Sequence, residues 1–106
     1  MTATLAVDTS RIPWERAEGY PAGTERKVLR RGPDDTPRTV ILKLPPHFSM
    51  ERHSHVMDEH HYVLEGSVEA EGQFMERGSY QLIAAHADHG PFRSVNGAEI
   101  LVIWID

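Results

Sequence analysis

Almost no segment of this chain keeps apolar residues at positions i, i+3 and i+4 over three turns, and short β-prone runs instead alternate with clusters of Gly, Pro, Asn and Asp. Such a pattern asks for strands that reverse every few residues. Strands are expected at Arg26–Arg30, Thr39–Leu44, His53–His55, His60–Glu65, Ser67–Ala70, Tyr80–Ile83, Gly90–Ser94 and Glu99–Ile105. The breaks fall at Gly32-Pro33-Asp34-Asp35-Thr36-Pro37, Glu71-Gly72, Glu76-Arg77-Gly78 and Asn96-Gly97, each a composition that favours a turn. Many short strands in one small unit define an all-β sandwich or barrel, whose edges are closed or paired between subunits.

With 106 residues, the expectation is a single domain spanning 1–106, with one hydrophobic core. No apolar stretch approaches the roughly 20 residues needed to cross a bilayer, so no membrane association is expected. Residues Met1 to Ser10 lack a basic start and carry only the weak Leu5-Ala6-Val7 patch, which reads as a cytoplasmic protein. The absence of cysteine excludes disulfides, thiolate nucleophiles and cysteine-based metal sites. Sixteen acids against eleven bases leave a formal charge of −5, and outside Arg26-Lys27 and Arg30-Arg31 the bases are scattered, so nucleic acid is not an expected partner.

The chemistry concentrates in the histidines. His53 and His55 are two apart, so in an extended strand they share a face. Glu59 follows four residues on, either on the same face or brought round by a Met57-Asp58 turn, and His89 can close the set from a neighbouring strand. Three imidazoles and a carboxylate suit a divalent first-row metal. His61, two residues beyond Glu59, falls on the same face and is the candidate for supporting the ligands or for general acid–base work. Adjacent His60 points the other way and reads as a surface or sheet-packing residue.

In order and spacing, these residues resemble the two motifs of the cupin superfamily. The first motif, Gly-x5-His-x-His-x3–4-Glu-x6-Gly, is matched by His53, His55, Glu59 and Gly66 within 45–66, with His47 at the leading glycine position. The second, Gly-x5-Pro-x-Gly-x2-His-x3-Asn, is similar to 78–93, with His89 at the ligand position and Ala84, His86 and Arg93 departing from it. None of the departures is a ligand position. The two glycine-to-histidine changes fall at turns, where His tolerates positive φ better than most residues. The resemblance implies a double-stranded β-helix, or jelly-roll, barrel with residues 1–24 as an N-terminal arm. It also implies a metal held by His53, His55, Glu59 and His89, with Fe2+ or Mn2+ favoured and Ni2+, Cu2+ or Zn2+ admissible.

The functional expectation that follows is a small metal-dependent oxygenase of the dioxygenase type acting on a small chelating substrate. A non-redox isomerase, cyclase or lyase is the alternative, as is a small-molecule or metal sensor, because the chain from Pro45 onward also resembles the cupin half of certain anti-sigma factors. Pocket walls are sought among Met50, Met57, Phe74, Tyr80 and Phe92. Ile12-Pro13-Trp14 and Gly19-Tyr20-Pro21 read as apolar anchors, and the last strand is apolar at every position from Ile100 to Ile105, which asks for cover on both faces. A homodimer would supply it.

Overall fold

A computed structural model describes residues 4–51, 53, 55–88 and 90–105. Among these residues the chain forms strands β1 (Glu15–Arg16), β2 (Glu25–Arg31), β3 (Pro37–Leu44), β4 (Phe48–Met50), β5 (Asp58–Ala70), β6 (Gln73–Glu76), β7 (Tyr80–Ile83), β8 (Phe92–Ser94) and β9 (Ala98–Ile105), preceded by a 3-10 turn at Thr9–Arg11. The ladders are all antiparallel and run in the order β1-β2-β3-β9-β5-β8-β4, with β6 and β7 also pairing β5.

β5 makes the sheet curl. Its first half pairs with β7 and β9, and its second half pairs with β6 and β8. A register shift between Val63 and Glu65 inserts a bulge, which bends the strand without ending it. Gly66 follows at φ 76°, and a Cβ built there would lie 2.3 Å from the Gly97 carbonyl oxygen, so only glycine lets the two segments approach so closely. The two strands expected at His60–Glu65 and Ser67–Ala70 are therefore one. Turn chemistry at Gly66 is absorbed as a bend because the ladder to β9 continues through Gly66 opposite Ala98.

Period-two alternation sorts side chains between the concave and outer faces. Register lays down concave rows of Leu42, Ile100 and Val63; of Val40, Val102, His61 and Gln81; and of Trp104, Glu59 and Ile83. Phe48, Val68, Ala70, Met75 and Phe92 close the core from the other side. Val40, Val63, Val68 and Val102 are almost wholly buried, each contributing about 1.5–3 kcal/mol by leaving water.

The expected strands at Arg26–Arg30, Thr39–Leu44, Tyr80–Ile83 and Glu99–Ile105 are present with small extensions, and the strand expected at Gly90–Ser94 is confined to Phe92–Ser94. The strand expected at His53–His55 falls partly outside the described residues; of those described, His53 makes a single bridge and His55 lies in the loop before β5. One local and one long-range bond act there: His53 Nδ1 donates to the Glu51 carbonyl at 2.8 Å, and the His55 carbonyl accepts the His86 N–H.

The N-terminal arm divides its anchors. Ala17 is buried and Tyr20 packs on the core, whereas Trp14 sits outside beneath the ammonium groups of Lys27 and Lys43, at 4.6 and 5.3 Å. No helix among the described residues is long and apolar enough to cross a membrane.

Candidate metal centre

Strand β5 presents Glu59 and His61 side by side on the concave face, and the loop between β4 and β5 delivers His53 and His55 to the same place. Glu59 is only 3% exposed. Its two carboxylate oxygens are addressed separately: His61 Nε2 donates to Oε1 at 2.8 Å, while His55 Nε2 stands 3.0 Å from Oε2. The rings of His53 and His55 meet edge to face at a centroid distance of 4.8 Å, and Phe92 packs against both His53 and His61. Because His53 donates from Nδ1 to the Glu51 carbonyl, its Nε2 carries the lone pair, the tautomer a metal ligand needs.

The loop after β7 is tied to this group by two bonds. Ala85 N–H donates to Asp58 Oδ1 at 2.8 Å, and His86 N–H donates to the His55 carbonyl at 2.6 Å. Asp58 thus serves to tie the loop after β7 to the start of β5. His89 lies outside the described residues.

Two cavities flank the histidines. A narrow interior one of about 30 Å³ is lined by Tyr20, Met50, His53, Glu59, His61 and Phe92. A more open one of about 310 Å³ is lined by Tyr20, Arg26, His55, Met57 and Trp104. Tyr20 belongs to both. Burial, then the charge of Glu59, push its phenol pKa above the ordinary tyrosine value, with Arg26 pulling weakly the other way. A groove of about 450 Å³ along Lys43, Pro45, Glu65 and Glu99 lies away from this chemistry and contains no imidazole.

Of the expected pocket walls, Met50, Met57 and Phe92 line these cavities. Phe74 and Tyr80 do not: they are 67% and 57% exposed, because alternation along β6 and β7 turns them outward. Tyr80 instead bonds His60 Nδ1 through its hydroxyl at 2.6 Å, which places His60 on the outer face as expected. His47 and His86 adopt φ of 62° and 66° and are exposed, in line with their reading as turn residues. Tyr20, Arg26 and Trp104 were not singled out as site residues. Arg26 was legible in principle, as an arginine in step with the apolar positions Val28, Val40 and Leu42 once strand pairing is known.

Among the described residues no group of three or more His, Asp or Glu side chains is close enough to hold a metal ion. The buried Glu59 carboxylate, with imidazoles on both oxygens and His55 Nε2 at 3.0 Å from Oε2, is nevertheless a set of donors of the kind a divalent ion takes. The chemistry of the set, neutral imidazoles with one buried carboxylate, suits a divalent transition metal.

A curled antiparallel sheet with this motif on its concave face defines a cupin barrel, and solved structures share it. The polyketide cyclase RemF from Streptomyces resistomycificus superposes with a TM-score of 0.76 at 21% identity, covering 95% of this chain and 78% of that one. An acetylacetone dioxygenase from Acinetobacter johnsonii gives a TM-score of 0.82 at 19% identity, with 99% and 76% covered. The complex of Rhodobacter sphaeroides SigE with the anti-sigma ChrR gives 0.69 at 16% identity, covering 92% of this chain and 52% of the matched one. None of the curated proteins compared matches this chain. The chain belongs to the ChrR cupin-like domain family, whose profile matches residues 2–104.

Proposed function

We propose that this cupin binds a divalent transition metal through His53, His55, Glu59 and His89, and that it is a small metal-dependent oxygenase acting on a chelating organic molecule. The observation that carries the reading is the buried Glu59 carboxylate, with one oxygen held by His61 and the other 3.0 Å from His55 Nε2. An ion at this point would be met by one buried carboxylate and neutral imidazoles, a donor set that suits a divalent transition metal. Fe2+ or Mn2+ are the favoured occupants, with Ni2+, Cu2+ and Zn2+ admissible. Bound there, the metal would act as a Lewis acid offering open positions to a chelating substrate.

The protein's own residues do the rest. Phe92, Met50 and Leu42 keep the interior dry, His61 holds the carboxylate in one rotamer, and Tyr20 divides the interior cavity from the wider pocket. Superposition on an acetylacetone dioxygenase supports the oxygenase reading, and superposition on a polyketide cyclase supports non-redox chemistry on the same ion. Membership of the ChrR cupin-like family favours a second reading, a sensor that binds metal or ligand without turnover.

Elemental analysis of chelator-free, untagged protein tests the metal. Near-stoichiometric iron or manganese, reduced in Glu59→Gln and His55→Ala, supports the proposal and leads to an oxygen-uptake screen with diketones and catechols. Metal-free protein that also refuses all five ions on reconstitution would sink it. Tight metal or ligand binding with no uptake and no product selects the sensor reading.

We also propose a homodimer formed through the outer face of β7, β5, β9 and β3. Register aligns Tyr80, Tyr62, Leu101 and Ile41 in one row and Leu82, His60 and Ile103 in the next, a continuous surface poor in charge. Tyr62 and Leu82 are 43% and 53% exposed, so the face is apolar and uncovered in the single chain. A second copy presents the same rows in reverse, as a two-fold contact requires.

A further inference from the structure

Arg26 is an arginine on the wrong side of its strand. Its neighbours Glu25 and Lys27 pair across β2/β3 with Lys43 and Ile41 on the outer face, whereas Arg26 pairs with buried Leu42 and so points to the concave side. Its side chain is 21% exposed, and its buried Nε has no hydrogen-bond partner among the described residues. The nearest carboxylate, Glu15 Oε2, stands 3.8 Å from Nη2, outside hydrogen-bond distance, on a side chain that is half in water. A sheltered guanidinium so weakly matched is a ready receptor for a planar anion, whose two oxygens fit its fork.

The surroundings state what kind of anion. Arg26 lines the 310 Å³ cavity together with Trp104, Tyr20 and the ligand candidate His55. Trp104 is the register partner of Glu59 across β9/β5, so this apolar wall adjoins the metal centre directly. Asp34, at the rim, already accepts from the Thr36 hydroxyl at 2.7 Å and faces Arg38 at 3.6 Å, so its charge is engaged elsewhere. We infer that this cavity binds a small aromatic or similarly flat organic carboxylate, with the carboxylate on Arg26, the apolar body against Trp104 and the far end directed to His55 and Glu59. The inference deepens the function proposed above and rests on it for the chelating end of the ligand, though not for the carboxylate end.

Benzoate, which has no chelating group, isolates the carboxylate end in metal-free protein. In 15N NMR titrations of the full chain, benzoate should shift the Trp104 indole N–H signal while neutral benzamide should not. Arg26→Met should weaken benzoate about 10- to 100-fold, with Arg26→Lys between the two. No shift up to millimolar benzoate, equal binding of benzamide, or unchanged affinity in Arg26→Met overturns the inference. The benzoate and benzamide comparison on the unmodified protein stands even if the variants fold poorly. With Mn2+ present, calorimetry should show 3,4-dihydroxybenzoate binding at least about tenfold tighter than catechol. Equal affinity would overturn the placement of the carboxylate on Arg26. A protein that refuses metal but discriminates benzoate from benzamide overturns the metal proposal and leaves the Arg26 site intact.

Discussion

His61 Nε2 lies 2.8 Å from Oε1 of Glu59, two residues back on the same strand, so an imidazole and a carboxylate are locked together on one face of β5. The second oxygen of Glu59 is thereby aimed at His55. Removing the donor with His61→Phe should let the carboxylate rotate and lower Mn2+ affinity about 10- to 100-fold without unfolding the protein. Titration calorimetry checks this, and an unchanged affinity would show that the carboxylate needs no imidazole to orient it.

Gly66 should resist substitution by any residue with a side chain. At φ 76°, an L-residue incurs about 1–2 kcal/mol of backbone strain, and the 2.3 Å approach of a Cβ to the Gly97 carbonyl adds a clash with backbone that cannot move aside cheaply. Gly66→Ala is expected to lose more than about 2 kcal/mol in urea unfolding. Gly72, also at positive φ but with nothing near its Cβ position, should lose only the strain. Equal losses at the two sites would show that the approach of Gly66 to Gly97 is unimportant.

Tyr20 sets an alkaline limit. Its folded pKa is raised by burial and by the charge of Glu59, so between the ordinary tyrosine value near 10 and the folded value the unfolded chain has lost a proton that the native chain keeps. The unfolded state then binds fewer protons, and stability must fall as pH rises. The contribution is complete below about pH 10 and is lost above it. Tyr20→Phe should flatten the decline in stability between about pH 10 and 12, measured by urea midpoints. An equally steep decline in the variant would show that other groups govern it.

The outer face makes a separate prediction. Tyr62→Lys together with Leu82→Glu places two charges in the uncovered apolar rows and should turn a dimer into a monomer in light scattering, while leaving the concave site and its metal content unchanged. A monomer before substitution would remove the homodimer proposal.

Much of this was legible in the chain because its causes are local. The strand at Tyr80–Ile83 and the inward aim of His61 follow from period-two alternation, which acts over a few residues. The positive φ values of His47 and His86 follow from the turns those histidines occupy. Spacing misled where a long-range bond decided the matter. His53 and His55 read as a strand from their two-residue step, yet the His55 carbonyl is held by the His86 N–H and His55 lies in a loop. The outward turn of Phe74 and Tyr80 was hidden for a related reason, since alternation gives two faces but not which of them meets the core.

Residue types and separations of a few positions are enough to carry the all-β class, the turns and the candidate ligand list. Tertiary structure alone decided that Glu59 divides its oxygens between His61 and His55, that Trp104 stands beside Glu59, and that Arg26 looks inward toward Tyr20. Those relations depend on the register of β2, β3, β9 and β5. Register is a global outcome of which apolar face wins burial, and no single segment carries enough information to choose it.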